Sequence, residues 1–504
     1  MLRYTNLVAV IRKAAQLYSS SVALKVDGSE ITYTTLFNTA EEWAAQLLSE
    51  FQLPNLSRVL VVTDRSITGY IGCIAAMLTG AAFIPLNPKI PAARNASIIE
   101  QCDPEVIIVD EKSLSSLNTL LKLTKKNLRV FCPQREQIRI VNKIKWPSIA
   151  DEQNAYILFT SGSTGQPKGV PITHKNVCTF LAYCQDRYSI TSSDKFSQTF
   201  EQTFDLSIFD LFMAWAHGAS VIAMRPIDLL SPVKYINDNK ITVWFSVPTV
   251  VALMLRQGIL QKNLFLSLRL SLFCGEALYY NLIDAWSKAA PNSICENLYG
   301  PTELTIACSV YRYEPSGQNV VHNNIISIGK VFPDLTYKLL GDNGTLNNTE
   351  GELCIKGGQC FKGYLNLPEA TKAAFITLPD NGCLDAYYRT GDRVRLDDSG
   401  NLLYLGRLDQ QVKVNGHRIE LGDVEAAFLM AKGIERAVAF VEPINNELVV
   451  FLVGKSTIES AFKVVGSILP SYMLPKKIKI FNEAPLNANG KIDRKYIQSI
   501  FDTV

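Results

Sequence analysis

A chain of 504 residues is too long for one hydrophobic core and divides into two or more domains. With 47% hydrophobic and 19% charged residues it has the composition of a soluble globular protein, not a disordered one. Its 50 basic and 47 acidic residues leave a net charge of +3, which gives no electrostatic case for binding nucleic acid or an anionic membrane. Eleven cysteines without a Cys-x-x-Cys pair, and only four histidines, fit reduced thiols in a cytoplasmic protein and argue against structural zinc.

The N-terminus leads into an amphipathic pattern containing Arg12 and Lys13, without the unbroken apolar core of a signal peptide. Gly69 to Leu86 is an uncharged run at the threshold of a membrane span. Gly72, Gly80 and Pro85 argue instead for a buried helix, a glycine turn at Gly80 and a strand through Phe83 and Ile84. Helical periods then alternate with short runs such as Val59–Val62, Val106–Val109, Ser220–Ala223 and Ile241–Phe245, which predicts mostly parallel sheets covered by helices. From about 325 to 407, short strands separated by Gly, Asn and Asp predict a β-rich subdomain. Leu408–Lys413 reads as a polar break; beyond it, Glu420–Ala431 has helical spacing and Ala437–Val453 carries two strands. The expected organisation is therefore an α/β protein with a large unit over 1–407 and a small α+β unit over 408–504.

The most informative run is Thr160-Ser161-Gly162-Ser163-Thr164-Gly165-Gln166-Pro167-Lys168-Gly169, which follows the apolar strand pattern Ala155–Phe159. Glycines let backbone N–H groups line an anion-binding concavity, hydroxyls add donors, and Lys168 adds a full charge. These are the components of a phosphate grip. It is not a Walker loop, because Pro167 precedes the lysine and Gly169 follows it. Composition alone also allows a flexible polar surface loop.

The order of these ten residues resembles the phosphate loop of the adenylate-forming superfamily, which includes acyl-CoA ligases, luciferases and carrier-protein adenylation enzymes. The resemblance covers nearly the whole chain. Leu78–Leu86 resembles an early packing motif. Asn297-Leu298-Tyr299-Gly300-Pro301-Thr302-Glu303 resembles the adenine and metal motif. The resemblance implies that Tyr299 and Gly300 meet adenine, Thr302 the α-phosphate of ATP, and Glu303 a Mg²⁺ ion. Tyr388–Asp392 resembles the ribose motif, with Asp392 on the sugar hydroxyls, Arg407 on the sugar or phosphate, and Asp409 as the hinge. Pro485–Arg494 resembles the terminal motif whose lysine, here Lys491, bridges substrate carboxylate and phosphate from a small mobile lid domain. Asn415 replaces the arginine usual in the Gln411–Gly416 segment.

Phe204-Asp205-Leu206-Ser207 resembles the branch that activates amino acids, where the aspartate pairs with the α-ammonium. A buried carboxylate without a partner is costly, so Asp205 implies a cationic substrate; its alternative role is a helix cap. The remaining pocket positions carried over from the family are Leu206, Phe209, Phe245, Leu272, Cys274, Leu298, Ile306 and Ala307. All are apolar, which implies a small apolar side chain. The surroundings of Cys274 resemble D-alanine–carrier protein ligases, whereas Phe209, Phe245 and Leu298 resemble L-proline–carrier protein ligases, and the two stand level. The ten residues after Arg494 leave no room for a carrier domain, so the expected acceptor is the phosphopantetheine thiol of a separate carrier protein. The alternatives are an acyl-CoA ligase for a small carboxylic acid, against which Asp205 argues, and a nucleotide sensor, which would lack Glu303 or Lys491.

Overall fold

The computed structural model describes residues 5–50, 56–124, 126–136, 144–162, 166–380, 382–442, 446–481, 485 and 497. Among these, two large sheets form the body of the protein. One has six strands in the order Arg129–Phe131, Val106–Val109, Arg58–Val62, Ala82–Leu86, Asn154–Thr160 and Lys168–Thr173. All neighbours are parallel except the last pair. The other has nine strands, with Val22–Val26, Lys195–Gln198, Ser220–Ala223, Val243–Ser246, Leu270–Phe273 and Ile294–Tyr299 as its parallel centre and antiparallel strands at the edges. Parallel strands are covered on both faces, which is why runs such as Val106–Val109 and Leu270–Phe273 are buried along their full length.

The uncharged run at 69–86 is not a membrane span. It forms the buried helix Ile67–Leu78, a turn at Gly80 with φ 82°, and the strand Ala82–Leu86. The small residues have a packing reason: a Cβ at Gly72 would stand 3.2 Å from Ile108 Cγ2, and one at Gly69 only 2.3 Å from Thr63 Oγ1. Among the described residues no helix is long and apolar enough to cross a membrane. All eleven cysteines are free.

The β-rich region is a third, antiparallel sheet, with Leu335–Leu340, Glu350–Gly357 and the long strand Cys383–Leu396 at its centre and Leu402–Arg407 paired to that long strand. Residues from 411 onward build a two-stranded hairpin, Gln411–Val414 with His417–Glu420, and a three-stranded sheet, Ile434–Glu442, Glu447–Gly454 and Lys477–Phe481. They close over an apolar cluster of their own that includes Val414, Ile419, Val424, Phe428, Val450 and Leu452. The polar break expected over Leu408–Lys413 is thus partly a strand. Asn415 and Gly416, with φ 51° and 80°, form its two-residue turn, the dihedral signs that an Asn-Gly hairpin favours.

The nine-stranded sheet carries a buried charge cluster at its edge. Glu296, fully enclosed, accepts from Arg187 Nε and Nη2 at 2.8 and 2.6 Å, from Arg312 Nε at 2.8 Å and from the Tyr188 hydroxyl at 2.7 Å. Removing the acceptor leaves the buried Tyr188 hydroxyl and the partly buried Arg187 without their partner, while the more exposed Arg312 can turn to water, so Glu296→Ala should destabilise this unit by about 1–3 kcal/mol. A urea midpoint equal to that of the parent would show that the cluster contributes nothing.

Candidate active site

The C-terminal ends of parallel strands converge on one cleft, the usual place for a ligand in an open α/β sheet. Thr160 and Ser161 end the strand Asn154–Thr160, Glu201–Asp205 follow Lys195–Gln198, Cys274–Glu276 follow Leu270–Phe273, and Gly300–Glu303 follow Ile294–Tyr299. The cavity among them has a volume of about 130 Å³. Its walls include Thr160, Ser161, Asp205, Cys274, Gly300 and Thr302 from the sheets, and Arg407, Lys413 and Arg418 from later in the chain.

The phosphate-grip segment is the connection between two antiparallel strands, paired as Thr160 with Lys168. Ser163, Thr164 and Gly165 lie outside the described residues. A Cβ at Gly162 would meet the Gln166 carbonyl oxygen at 2.2 Å, so this position accepts only glycine without rearrangement. Lys168 directs its ammonium over the Tyr364 ring, 5.5 Å from the centroid. The Ser161 hydroxyl donates to the Arg418 carbonyl at 2.6 Å.

The turn after Ile294–Tyr299 is equally constrained. A Cβ at Gly300 would lie 2.6 Å from Ala307 Cα, and Thr305 and Ile306 both take positive φ, 56° and 77°. This tight return places Thr302 and Glu303 on a single 3₁₀ turn, with Thr302 on the cavity wall and Glu303 enclosed behind it. Asp205 stands at the start of the helix Leu206–Ala216, yet its side chain makes no capping bond. It accepts instead from Thr302, and burial pushes its carboxyl up to about 6 despite that bond and the nearby Lys413 charge. The helix-cap role is therefore not what the side chain does.

Of the apolar positions, Leu206, Cys274 and Ile306 line this cavity beside Asp205. Burial pushes the Cys274 thiol up to about 12, so it meets a ligand as a neutral apolar group. Phe209, Phe245, Leu272 and Ala307 are fully enclosed in the same apolar cluster and do not line the cavity. Phe209 and Phe245 pack edge to face against each other, centroids 5.3 Å apart. Leu298 borders a neighbouring cavity of about 750 Å³, along with Tyr299, Glu276 and Lys413. The polar groups Asn87, Arg94 and Glu201 line the substrate-side cavity in addition, and the positions carried over from the family did not include them.

A continuous polar network joins the remaining residues. The Tyr299 hydroxyl donates to Asp392 Oδ2 at 2.5 Å, and Arg407 Nη1 donates to Asp392 Oδ1 at 3.1 Å. Arg407 also donates to both oxygens of Asp409, at 2.9 and 2.5 Å, and to Gln411 Oε1 at 2.7 Å. Gln411 Oε1 accepts from Arg418 Nε at 2.8 Å as well. Arg418 Nη1 then spans the two oxygens of Glu303, at 3.0 and 2.9 Å, and the Tyr364 hydroxyl donates to Oε1 at 2.8 Å. Burial pushes the Glu303 carboxyl up, but Arg418 and Tyr364 outweigh it and hold it below the usual carboxylate range. As arranged, Glu303 does not fit a divalent cation, because its oxygens face a guanidinium and a phenol. Among the described residues no group of three or more His, Cys, Asp or Glu is placed to hold a metal.

Arg418, Tyr364 and Glu276 are the site residues that sequence reasoning missed. Glu276 accepts from Thr249, backbone and hydroxyl, and from the Gly416 N–H at 2.8 Å, tying the hairpin turn to the sheet body. A Cβ at Gly416 would meet Val247 Cγ1 at 2.5 Å, so the turn is seated closely. The signal for Arg418 was present in Gln411-Val412-Lys413-Val414-Asn415-Gly416-His417-Arg418-Ile419-Glu420. Alternation about an Asn-Gly turn sets Lys413 opposite Arg418 and Gln411 opposite Glu420 on one polar face. Lys491 lies outside the described residues.

The model of the AMP-binding enzyme family matches residues 11–365. One component of the mycosubtilin synthase of Bacillus subtilis is 32% identical over 498 residues, 95% of this chain and 18% of that protein. The D-alanine–D-alanyl carrier protein ligase of Bacillus licheniformis is 28% identical over 513 residues, 98% of this chain and 99% of that protein. The chain spans between 8% and 21% of the length of the synthase relatives it matches. Among solved structures, the Vibrio cholerae adenylation domain AlmE, in complex with glycyl-adenosine-5'-phosphate, superposes with a TM-score of 0.88 at 27% identity, covering 100% of this chain and 99% of that one. With the family's match extending over more than two thirds of its residues, and with the cleft built at the ends of its parallel strands, this chain belongs to the AMP-binding enzyme family.

Proposed function

We propose that the chain joins the carboxylate of a small amino acid to the α-phosphate of ATP, and then passes the acyl group to the phosphopantetheine thiol of a carrier protein. The observation that carries this reading is Asp205, a buried carboxylate on the cavity wall beside the apolar Leu206, Cys274 and Ile306. A carboxylate so placed selects a ligand that brings its own positive charge, and a fatty or aryl acid has none. The names of the full-length relative, a D-alanine–carrier protein ligase, and of the AlmE complex with a glycyl adenylate support an amino acid as that ligand. D-Alanine and L-proline remain level as substrates.

In the first step an oxygen of the substrate carboxylate attacks the α-phosphorus and the bond to the β-phosphate oxygen breaks, releasing pyrophosphate. The nucleophile is already ionised, so the protein needs to position and neutralise charge more than to transfer protons. In the proposed roles, backbone N–H groups around Gly162 and the Lys168 ammonium hold phosphate. Tyr299 gives adenine an aromatic face, Asp392 accepts from the ribose hydroxyls, Thr302 donates to the α-phosphate, and Lys491 bridges carboxylate and phosphate. In the second step the carrier thiolate attacks the acyl carbon and AMP departs. Asp409, paired with Arg407, is the proposed hinge between the two proposed units, 1–407 and 408–504.

The test is amino-acid-dependent ATP–pyrophosphate exchange over both enantiomers of alanine and proline, glycine, and fatty and aryl acids. Exchange with the acids alone would replace this reading with that of an acyl-CoA ligase. Lys491→Ala should lower exchange at least about a hundredfold, the scale of losing one charge-stabilising group; full retention would remove its role.

Asp205 also makes a stability prediction. Its folded value of about 6 lies above the unfolded value of about 4, so the ionised form weighs on the fold at neutral pH by at most about 3 kcal/mol. That cost is complete above about pH 6 and absent below about pH 4. Asp205→Asn should therefore lose amino-acid exchange yet melt at a higher temperature than the parent at pH 7.5, with the difference vanishing toward pH 4. A melting difference independent of pH would show that Asp205 is not an uncompensated buried charge.

A further inference from the structure

The positive charges on the wall of the cavity beside Asp205 are not all paired. Among the described residues, Arg94, Arg407, Lys413 and Arg418 bring a full charge to it. Arg407 is paired with Asp392 and Asp409, and Arg418 with Glu303. Lys413 reaches over the Tyr299 ring, 5.9 Å from its centroid, and its charge bears on Asp205. Arg94 has no ion-pair partner among the described residues; it meets the Tyr472 hydroxyl, a neutral group. Glu201, on the same wall, is bonded instead to Asn87 Nδ2 at 2.7 Å. Lys168, the cation of the phosphate-grip segment, lies over the Tyr364 ring and does not line this cavity.

The fold sets Arg94 beside that segment. It stands in the first turn of the helix Ala92–Cys102, which follows the C-terminal end of the strand Ala82–Leu86. Asn95 Nδ2 donates to the Asn87 carbonyl at 3.0 Å and ties the start of the helix to the strand end. Arg94 and Ile98 lie on one helix face and both line the cavity. The Ser97 hydroxyl donates to Gln166 Oε1, inside the phosphate-grip segment, at 3.3 Å. Arg94 thus shares a cavity with Thr160 and Ser161 at the start of the grip, with Thr302, proposed for the α-phosphate, and with Asp392, proposed for the sugar. We propose that Arg94 binds the β- and γ-phosphates of ATP, and so holds the pyrophosphate that leaves. The inference rests on the cleft being the ATP site of the proposed function, and adds to it the cation that meets the leaving group. As the bond from the α-phosphorus to the bridging oxygen breaks, its electron pair stays on that oxygen, and pyrophosphate departs with the added negative charge. No proton moves. A guanidinium suits this task, because it stays charged and offers parallel N–H donors to two phosphate oxygens. A cation fixed where negative charge develops favours the bond-breaking step.

The experiment titrates ATP and AMP into the full chain by calorimetry, for the parent, Arg94→Gln and Arg94→Lys. It is paired with amino-acid-dependent exchange at varied pyrophosphate concentration. Arg94→Gln should weaken ATP at least about tenfold, the scale of a lost charge-assisted contact, and AMP by no more than about twofold. In exchange, its KM for pyrophosphate should rise by a similar factor while its KM for the amino acid stays that of the parent. Arg94→Lys should recover part of both losses, since it keeps the charge without the fork. A third arm uses the parent alone and so stands even if a variant misfolds: pyrophosphate should protect Arg94 from phenylglyoxal, read by peptide mass spectrometry. Equal weakening of ATP and AMP, no weakening of either, a raised KM for the amino acid in place of pyrophosphate, or an unprotected Arg94 would each overturn the role of Arg94. A parent that binds ATP but exchanges with no amino acid would instead overturn the proposed substrate, and the ATP-against-AMP comparison would still decide on Arg94.

Discussion

Every feature of the cleft follows from placing carboxylates where water is nearly absent. Asp205 and Asp392 line the cavity, Glu276 and Glu303 follow directly on lining residues, and the sheets beneath them are packed with aliphatic and aromatic side chains. In such surroundings a charge is tolerated only with a partner at hydrogen-bond distance. Asp392 has Tyr299 and Arg407, and Glu303 has Tyr364 and Arg418. Glu276 collects four N–H and O–H donors, one of them from the hairpin turn. Asp205 is the least compensated of the four, with Thr302 its side-chain donor and Lys413 acting through its charge. The site is thus a set of buried anions whose partners come largely from the segment between 407 and 418.

That dependence couples the two ends of the molecule. Arg407 and Arg418 share the Gln411 amide oxygen, so their carboxylate partners Asp392 and Glu303 are joined through one side chain. Gln411 also donates to Glu420, its cross-strand partner, which fixes the register of the hairpin. A shift of the hairpin unmakes the pairs of Glu303 and Glu276 together. At Asp205 the substrate ammonium of the proposed function would bring the cation that this carboxylate lacks.

The fold was legible where one physical signal dominated. Continuous apolar runs such as Val106–Val109 appear as parallel strands because both faces are covered, and the glycine pattern of 69–86 marks a helix pressed on a sheet. Motif residues at strand ends were legible because backbone constraints force their chemistry: Gly162 and Gly300 admit no Cβ. The partners of those residues were not. Arg418 lies 115 positions from Glu303, and nothing local marks one for the other. The hairpin that presents it was hidden because its polar face packs against the protein as well as its apolar one, so Leu408–Lys413 resembles a solvated linker. Phe209 and Phe245 show how ambiguous an apolar position is. Their apolar character suits a pocket wall and a core equally, and here their mutual packing spends it on the core.

Placing those aromatics in the core leaves a more polar wall than the carried-over positions suggested. Besides Leu206, Cys274 and Ile306, the cavity meets Asn87, Arg94 and Glu201, with Glu201 accepting from Asn87 Nδ2 at 2.7 Å. An apolar side chain bound there gains only the transfer energy of the surface it covers, about 25 cal/mol per Å², and a methyl or pyrrolidine ring covers little. Shape alone therefore separates small amino acids weakly, by the one to three kcal/mol typical of a methylene or two. The ammonium contact discriminates more strongly, because a ligand without it leaves Asp205 buried and unpaired. On the proposed reading, selection is steepest for the class of substrate, amino acid over plain acid, and shallow among the small members of that class. That is the physical reason why Asp205 points to a class of substrate while alanine and proline stay level.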